Sequence, residues 1–238
     1  MTFTSLASSS AGNAYLVEDG ESRLLIECGL PFRRLRKLLG FDVTGLRGCL
    51  ITHEHKDHAR SFLEFIRSGV PVWASEGTAE ALESDLPEIL PVREDGDYLP
   101  FRVGTFSVLP FRTWHDAKEP VGYLVRGTDG DKLAFATDTV NLEYRFPGAG
   151  ILAVECNYAA DILARSTRLP EKVRERITNS HMEISTLCGY LQGLDLSACR
   201  ELWLLHLSDA CSDEGRFIRA VRGCVPGHVA VRACPKGG

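Results

Sequence analysis

The sequence predicts an α/β fold in which helices cover mixed β-sheets, and three observations carry that reading. Short apolar runs with strand character alternate with runs of helical period from residue 13 to residue 234. Tight turns place hairpins in each half, which a purely parallel sheet would not contain. The composition is that of a packed globular chain, with 238 residues, 44% hydrophobic and 25% charged, so disordered and fibrous classes are excluded. That length suits one large domain or two small ones. Only the short ASSSAG loop interrupts the pattern, so a single domain over 1–238 is expected.

The elements follow in order. NAYLVEDG (13–20) and SRLLIECG (22–29) read as strands joined by the turn DGES. PFRRLRKLLG (31–40) reads as a helix, because Phe32, Leu35, Leu38 and Leu39 share helical spacing and Gly40 suits its stop. RGCLIT (47–52) is a short buried strand, and KDHARSFLEFIRSG (56–69) is one helix with Phe62, Phe65 and Ile66 on one side. VPVWAS (70–75) is a strand and EGTAEALESDL (76–86) a helix. FRVGTFSVLPFRTWHD (101–116), VGYLVRGTDGDKLAFATDT (121–139) and ILAVECNY (151–158) are strand runs, the middle one turning at TDGDK. PEKVRERI (170–177) is a helix with Pro170 favourably placed in its first turn. EISTLCGYLQGL (183–194) is a helix, RELWLLHLSD (200–209) a strand, SDEGRFIRAVRGC (212–224) a helix and HVAVRAC (228–234) a final strand.

Charge and cysteine usage narrow the function classes. A formal net charge of −5 gives no bulk attraction for nucleic acid and leaves room only for a local basic groove. The first twenty residues show no basic region followed by a long apolar run, and no stretch is long enough to span a bilayer. A cytoplasmic protein with no membrane or protein partner is expected. The eight cysteines, at 28, 49, 156, 188, 199, 211, 224 and 234, include no C-x-x-C pair. That disfavours a zinc ribbon or a redox dithiol and favours small buried apolar residues in a reducing compartment.

The chemistry concentrates in LITHEHKDHA (50–59), which packs His53, His55, Asp57 and His58 into six positions after a buried strand. His53 and His55 alternate and so face one way, while Asp57 and His58 open the next helix and point back. An H-E-x-x-H zinc helix fails because residue 57 is aspartate. The deaminase pattern finds His181-x-Glu183 without its C-x-x-C, and no G-x-S-x-G elbow supports a serine triad. A polar loop with chance histidines is a poor account of this density, and metal binding is expected.

THEHKDH resembles the H-x-H-x-D-H motif of the metallo-β-lactamase fold superfamily. The resemblance implies a four-layer αββα sandwich with two mixed β-sheets, and three further ligands at strand ends. His115 in FRTWHDA, Asp138 in AFATDT and His206 in LWLLHLSD stand in the required order. SLASSSAGN, HDAKEPVGYLV, FATDT, VECNY and LLHLS are most similar to the YycJ/WalJ-like subgroup, which is linked to DNA exonuclease activity. Where the superfamily usually has aspartate after the second strand, this chain has Glu27, which bears on the fine geometry of support.

By the same resemblance, one cation would take His53, His55 and His115, the other Asp57, His58 and His206, with Asp138 bridging. The donor set accepts two divalent ions, zinc or manganese, and also iron. A metal-bridging hydroxide would attack the substrate without a protein nucleophile, with Asp57 counted among the catalytic residues. Glu155 in ILAVECNY and His181 in NSHMEIST match a glutamate–histidine pair in ribonuclease Z-like phosphodiesterases. There the histidine helps the leaving oxygen depart, so both are assigned catalytic roles.

Ser10 and Asn13 in the SSSAGN loop, and Ser208 after His206, are candidates for substrate binding, with a plain turn as the competing reading. Two basic runs stand out: Arg33, Arg34, Arg36 and Lys37, then Arg165, Arg168, Lys172, Arg174 and Arg176. Charge runs are usually solvated faces, and a phosphate-tracking groove along the second is the alternative. The expected function is a phosphodiesterase or exonuclease on nucleic acid, DNA favoured. A small-molecule hydrolase of the same fold, acting on a lactone, thioester or β-lactam, would need the same ligands. A non-enzymatic metal-binding module is the third and weakest reading.

Overall fold

The computed structural model describes residues 1–167 and 169–235, so Arg168 of the second basic run lies outside the described residues. Two mixed sheets form the centre. The first contains β1 (Thr2–Ala7), β2 (Ala14–Glu18), β3 (Arg23–Ile26), β4 (Leu46–Leu50), β5 (Val72–Ala74) and β6 (Glu88–Ile89), in that spatial order. Its first two pairings are antiparallel and the next three parallel. The second contains β7 (Phe101–Val103), β8 (Phe106–Arg112), β9 (Val121–Arg126), β10 (Lys132–Ala136), β11 (Ile151–Glu155), β12 (Glu201–Leu205) and β13 (Ala230–Ala233). These also follow one another across the sheet. They pair antiparallel as far as β10 and parallel from β10 to β13.

The strands are apolar on both faces because both faces are covered. Leu24, Ile26, Phe135 and Ile151 point between the sheets, where they pack with Tyr15, Tyr123 and Phe106. Leu25 and Ile51 face outward to Leu35 of α1 (Phe32–Leu38), whereas α2 (Lys56–Ala59) carries Asp57 and His58 of the histidine cluster. Phe62 and Phe65 of α3 (Phe62–Arg67) complete that layer, beside α4 (Glu76–Ala81). On the other side Leu152, Val154, Leu202 and Leu204 face outward. They meet Leu187 and Leu191 of α7 (Ile184–Gln192) and Phe217 and Val221 of α8 (Glu214–Arg222). The result is the expected four layers, αββα. Two further helices, α5 (Ala160–Arg165) and α6 (Glu171–Ser180), lie between β11 and α7 in the chain.

Several elements depart from the sequence reading. The single helix expected over 56–69 is broken at Arg60–Ser61. There the Ser61 N–H donates to the Cys28 carbonyl at 3.0 Å and its hydroxyl to that of Leu30 at 2.6 Å. The run 101–116 is a hairpin, turning at Gly104 with φ 59°. The helix after β5 stops at Ala81 instead of Leu86, and α5 and β6 were not foreseen. β1 pairs with β2 as an antiparallel hairpin at the start of the fold. Among the described residues no helix is long and apolar enough to cross a membrane.

Candidate metal centre

Strand ends from both sheets open at one edge of the sandwich and carry the chemistry. Glu27 follows β3, His53 follows β4, His115 follows β8, Asp138 follows β10, Glu155 ends β11 and His206 follows β12. Glu27, Asp138 and His206 have left-handed backbones, with φ of 67°, 47° and 52°. Each such residue costs on the order of 1–3 kcal/mol and persists only where its surroundings fix it. His206 is fixed by Ser8, whose hydroxyl accepts its N–H at 2.8 Å, and by Asn157, whose amide donates to its carbonyl at 2.8 Å.

The hydrogen bonds assign which ring nitrogens are bare. The Thr52 hydroxyl donates to Glu27 at 2.5 Å, so its oxygen accepts from His53 Nδ1 at 2.9 Å. His115 Nδ1 donates to the Ser180 carbonyl at 2.8 Å. The Nε2 atoms of His53 and His115 therefore carry lone pairs. Both face His55 Nδ1, at 3.0 and 3.2 Å. With His55 in its Nε2–H tautomer, three lone pairs would converge on one cation. A tetrahedral site with cation–nitrogen bonds of about 2.0–2.1 Å has edges of about 3.3 Å, which matches this spacing.

A second trio repeats the logic. His206 Nδ1 donates to Glu155 at 3.3 Å and lies 2.9 Å from Asp138 Oδ1, leaving its Nε2 buried without a hydrogen-bond partner. Asp57 Oδ2 is 3.8 Å from that atom and 3.4 Å from His58 Nε2. His58 Nδ1 faces Glu27 at 3.3 Å, outside hydrogen-bond geometry. Asp138 joins the two trios. Its Oδ1 is held by Thr137 at 2.7 Å, and its Oδ2 lies 3.4 Å from His58, 3.6 Å from His115 and 4.0 Å from His53. The residues present thus fit two divalent cations.

Electrostatics sets the two trios apart. Burial pushes His53 well below the ordinary imidazole pKa, and burial likewise lowers His115, so both stay neutral as ligands must. Burial would raise Asp138, but His206 and His58 outweigh it and hold the carboxyl well below the usual range. Burial would lower His206, yet Asp138 and Glu155 raise it to about 10. The same opposition, burial against Asp138 and Glu27, leaves His58 raised.

Beside these trios stands a carboxylate–imidazole pair. Glu155 is fully buried, and one oxygen accepts from the Thr139 and Met182 N–H groups at 2.8 and 3.1 Å. Its other oxygen meets His181 Nδ1 at 2.7 Å. Burial lowers the His181 pKa, but Glu155 overrides it, and the net shift is upward. His181 lines a cleft of about 400 Å³ together with His55, Asp57, His115, Asp138 and His206.

Comparison with known proteins accords with this geometry. Residues 22–206 match the β-lactamase superfamily domain. The chain belongs to the metallo-β-lactamase superfamily. Within it, the chain is 31% identical over 229 residues to exodeoxyribonuclease YycJ of Bacillus anthracis, covering 91% of this chain and 80% of the relative. It is 29% identical over 201 residues to exodeoxyribonuclease WalJ of Streptococcus pneumoniae, covering 79% and 73%. The crystal structure of the metallo-β-lactamase fold protein YhfI from Bacillus subtilis superposes with a TM-score of 0.73 at 18% identity, over 99% of this chain and 97% of that one.

The seven ligand candidates of the superfamily motif all converge, and Glu155 and His181 adjoin them. Ser10 is exposed on the cleft. Two substrate-binding candidates are placed otherwise. Asn13 is fully buried, and its amide faces the Ser9 and Asp57 carbonyls and His58 Nε2, each at 3.1 Å, so it positions the metal loop. Ser208 does not line the cleft, and its hydroxyl accepts from the Cys211 N–H in a turn at 3.2 Å. The sequence reading also missed residues. Thr52 relays Glu27 to His53. Asp116 sits 3.2 Å from His115 Nε2 and is held at 2.7 Å by Arg176 of α6. Lys56 lines the cleft, as does Arg176, which the sequence reading names in the second basic run as an alternative phosphate groove. Adjacency to His53, His115 and Asp57 was the available signal for Thr52, Asp116 and Lys56.

Proposed function

We propose that this metal-dependent hydrolase is a dinuclear phosphodiesterase that removes nucleotides from nucleic acid, with DNA the favoured substrate. The observation that carries the reading is the Glu155–His181 pair on the wall of the cleft. A nucleic-acid phosphodiester expels an alkoxide, which needs a proton, whereas the thiolate of a thioester does not. The two relatives named exodeoxyribonucleases support nucleic acid, and DNA in particular.

In this reading His53, His55 and His115 would hold one cation and Asp57, His58 and His206 the other, with Asp138 serving both. Nitrogen and oxygen donors without thiolate suit zinc or manganese, and iron as well. When bound, such ions would supply Lewis-acid stabilisation of the phosphoryl oxygens and activate a water for attack. The chain does the rest. Lys56 and Arg176 on the cleft meet the phosphate charge, and Ser10 offers it a hydroxyl. Glu155 holds His181 Nδ1, which turns Nε2 and its proton toward the leaving oxygen. Once neutral, the partly exposed imidazole regains its proton from solvent. Residues 1–238 act as one catalytic domain, and a cytoplasmic setting is in keeping with eight free thiols.

The test incubates the metal-loaded protein with 5′- and 3′-labelled single- and double-stranded DNA and RNA, a lactone and a thioester, beside Asp57→Ala. Shortening of DNA by the wild type alone is the expected result. Turnover of the lactone or thioester with every nucleic acid left intact would overturn the reading.

A further inference from the structure

The first basic run has no part in the metal centre, yet it starts from it. Gly29 packs so closely on the Asp57 turn that a Cβ there would lie 1.7 Å from the Asp57 carbonyl oxygen. The Cys28 N–H donates to the His58 carbonyl at 2.8 Å. From this anchor the chain enters α1 directly. The helix reads FRRLRKL: four cations, no acid, on a chain whose net charge is −5. Among the described residues no ion pair neutralises Arg33, Arg36 or Lys37.

Arg33, Lys37 and Phe41 follow one another at intervals of four, and with Pro31 and Arg34 they line a groove of about 450 Å³. Phe41 is 65% exposed, the most exposed large apolar side chain of the described residues. Its φ is 66°, directly after Gly40 at 75°. A bulky residue in left-handed backbone is an outlier, and here the cost secures no burial. It holds an aromatic face in solvent at the end of a row of cations.

We propose that this stripe is a track for single-stranded nucleic acid. Arg33 and Lys37 contact phosphates of the strand whose end lies in the metal cleft, and one base stacks on Phe41. Cations that follow a backbone and an aromatic face that accepts any base are the recurring means of holding single strands. The inference rests on the phosphodiesterase reading, since that reading supplies the strand. Leu38 is also exposed on α1, which makes an anionic membrane surface the competing occupant.

The metal-loaded protein is titrated with a nuclease-resistant phosphorothioate single strand and, separately, with anionic phospholipid vesicles. The variants are Phe41→Gly, Arg33→Ser with Lys37→Ser, and a control, Arg93→Ser with Arg145→Ser, on a different groove. Phe41→Gly relieves the backbone while removing the ring, so weaker binding by a more heat-stable protein cannot be a folding defect. Strand affinity is expected to fall about tenfold for Phe41→Gly. The slope of log affinity against log salt is expected to lessen by about 1.4 for the double variant, and the control to keep the wild-type slope. All variants are expected to hydrolyse bis(p-nitrophenyl) phosphate, which reads the cleft alone, at the wild-type rate. Unchanged strand affinity in both stripe variants overturns the track, as does loss of vesicle binding with strand binding retained. A wild type that hydrolyses no phosphodiester overturns the phosphodiesterase reading instead, and the strand titration still decides the stripe.

Discussion

Replacing His181 by alanine isolates the proton donor from the metal ligands. The imidazole touches Glu155 at 2.7 Å and borders the cleft, but its backbone neighbour, the Ser180 carbonyl that orients His115, survives the change. Losing a positioned general acid costs roughly 10²–10⁴-fold in rate. At about 1.36 kcal/mol per decade, that is about 3–5 kcal/mol of barrier for DNA, whose leaving oxygen is a poor one. Bis(p-nitrophenyl) phosphate has a leaving group that departs unassisted, so its hydrolysis should change by only a few fold. The assay compares kcat for both substrates in wild type and His181→Ala, with metal content measured on the same samples. Equal losses on both substrates, or no loss on DNA, would refute the assignment. Loss of metal would show instead that His181 holds the centre together.

Other consequences follow from the same geometry. Asp138→Asn keeps the shape of the side chain but weakens the oxygen shared between the trios. Bound metal should fall below two ions per chain, read by elemental analysis after dialysis, with phosphodiester hydrolysis down by at least about a hundredfold. Gly29→Ala drives a methyl into the Asp57 turn. It should lower the melting temperature and release the cation of Asp57, His58 and His206 before the other, visible as partial metal occupancy. In chelator-stripped protein, Asp138 and Glu155 overcome burial to keep His206 protonated up to about pH 10, and His58 is raised by Asp138 and Glu27 in the same way. Metal must displace those protons, so its affinity should rise with pH up to about 10, and calorimetry in buffers of different ionisation heat should show proton release.

The candidate ligands and their convergence were legible because they lie close to the chain's punctuation. Each ligand follows an apolar strand run, and four of the seven occupy one six-residue stretch. The layers were legible for a related reason, since strands covered on both faces are apolar throughout, as in ILAVE of β11. What stayed hidden depends on partners distant in sequence. Asn13 reads as an exposed turn residue until residue 57 folds over it, and the helix over 56–69 looks continuous until Ser61 bonds Cys28 and Leu30. Two-residue β6 and six-residue α5 are too short for periodicity to register. Glu27 read as a departure from the superfamily's aspartate. In the fold Glu27 accepts from Thr52, which holds His53, and its carboxylate lies 3.3 Å from His58 Nδ1.

Two cations should lie among these seven side chains. Anomalous diffraction from crystals of the zinc- or manganese-loaded protein tests this most directly. Two peaks are predicted, one amid His53, His55 and His115 and one amid Asp57, His58 and His206, with Asp138 between them. A single peak at full metal loading, or peaks elsewhere on the chain, would contradict it.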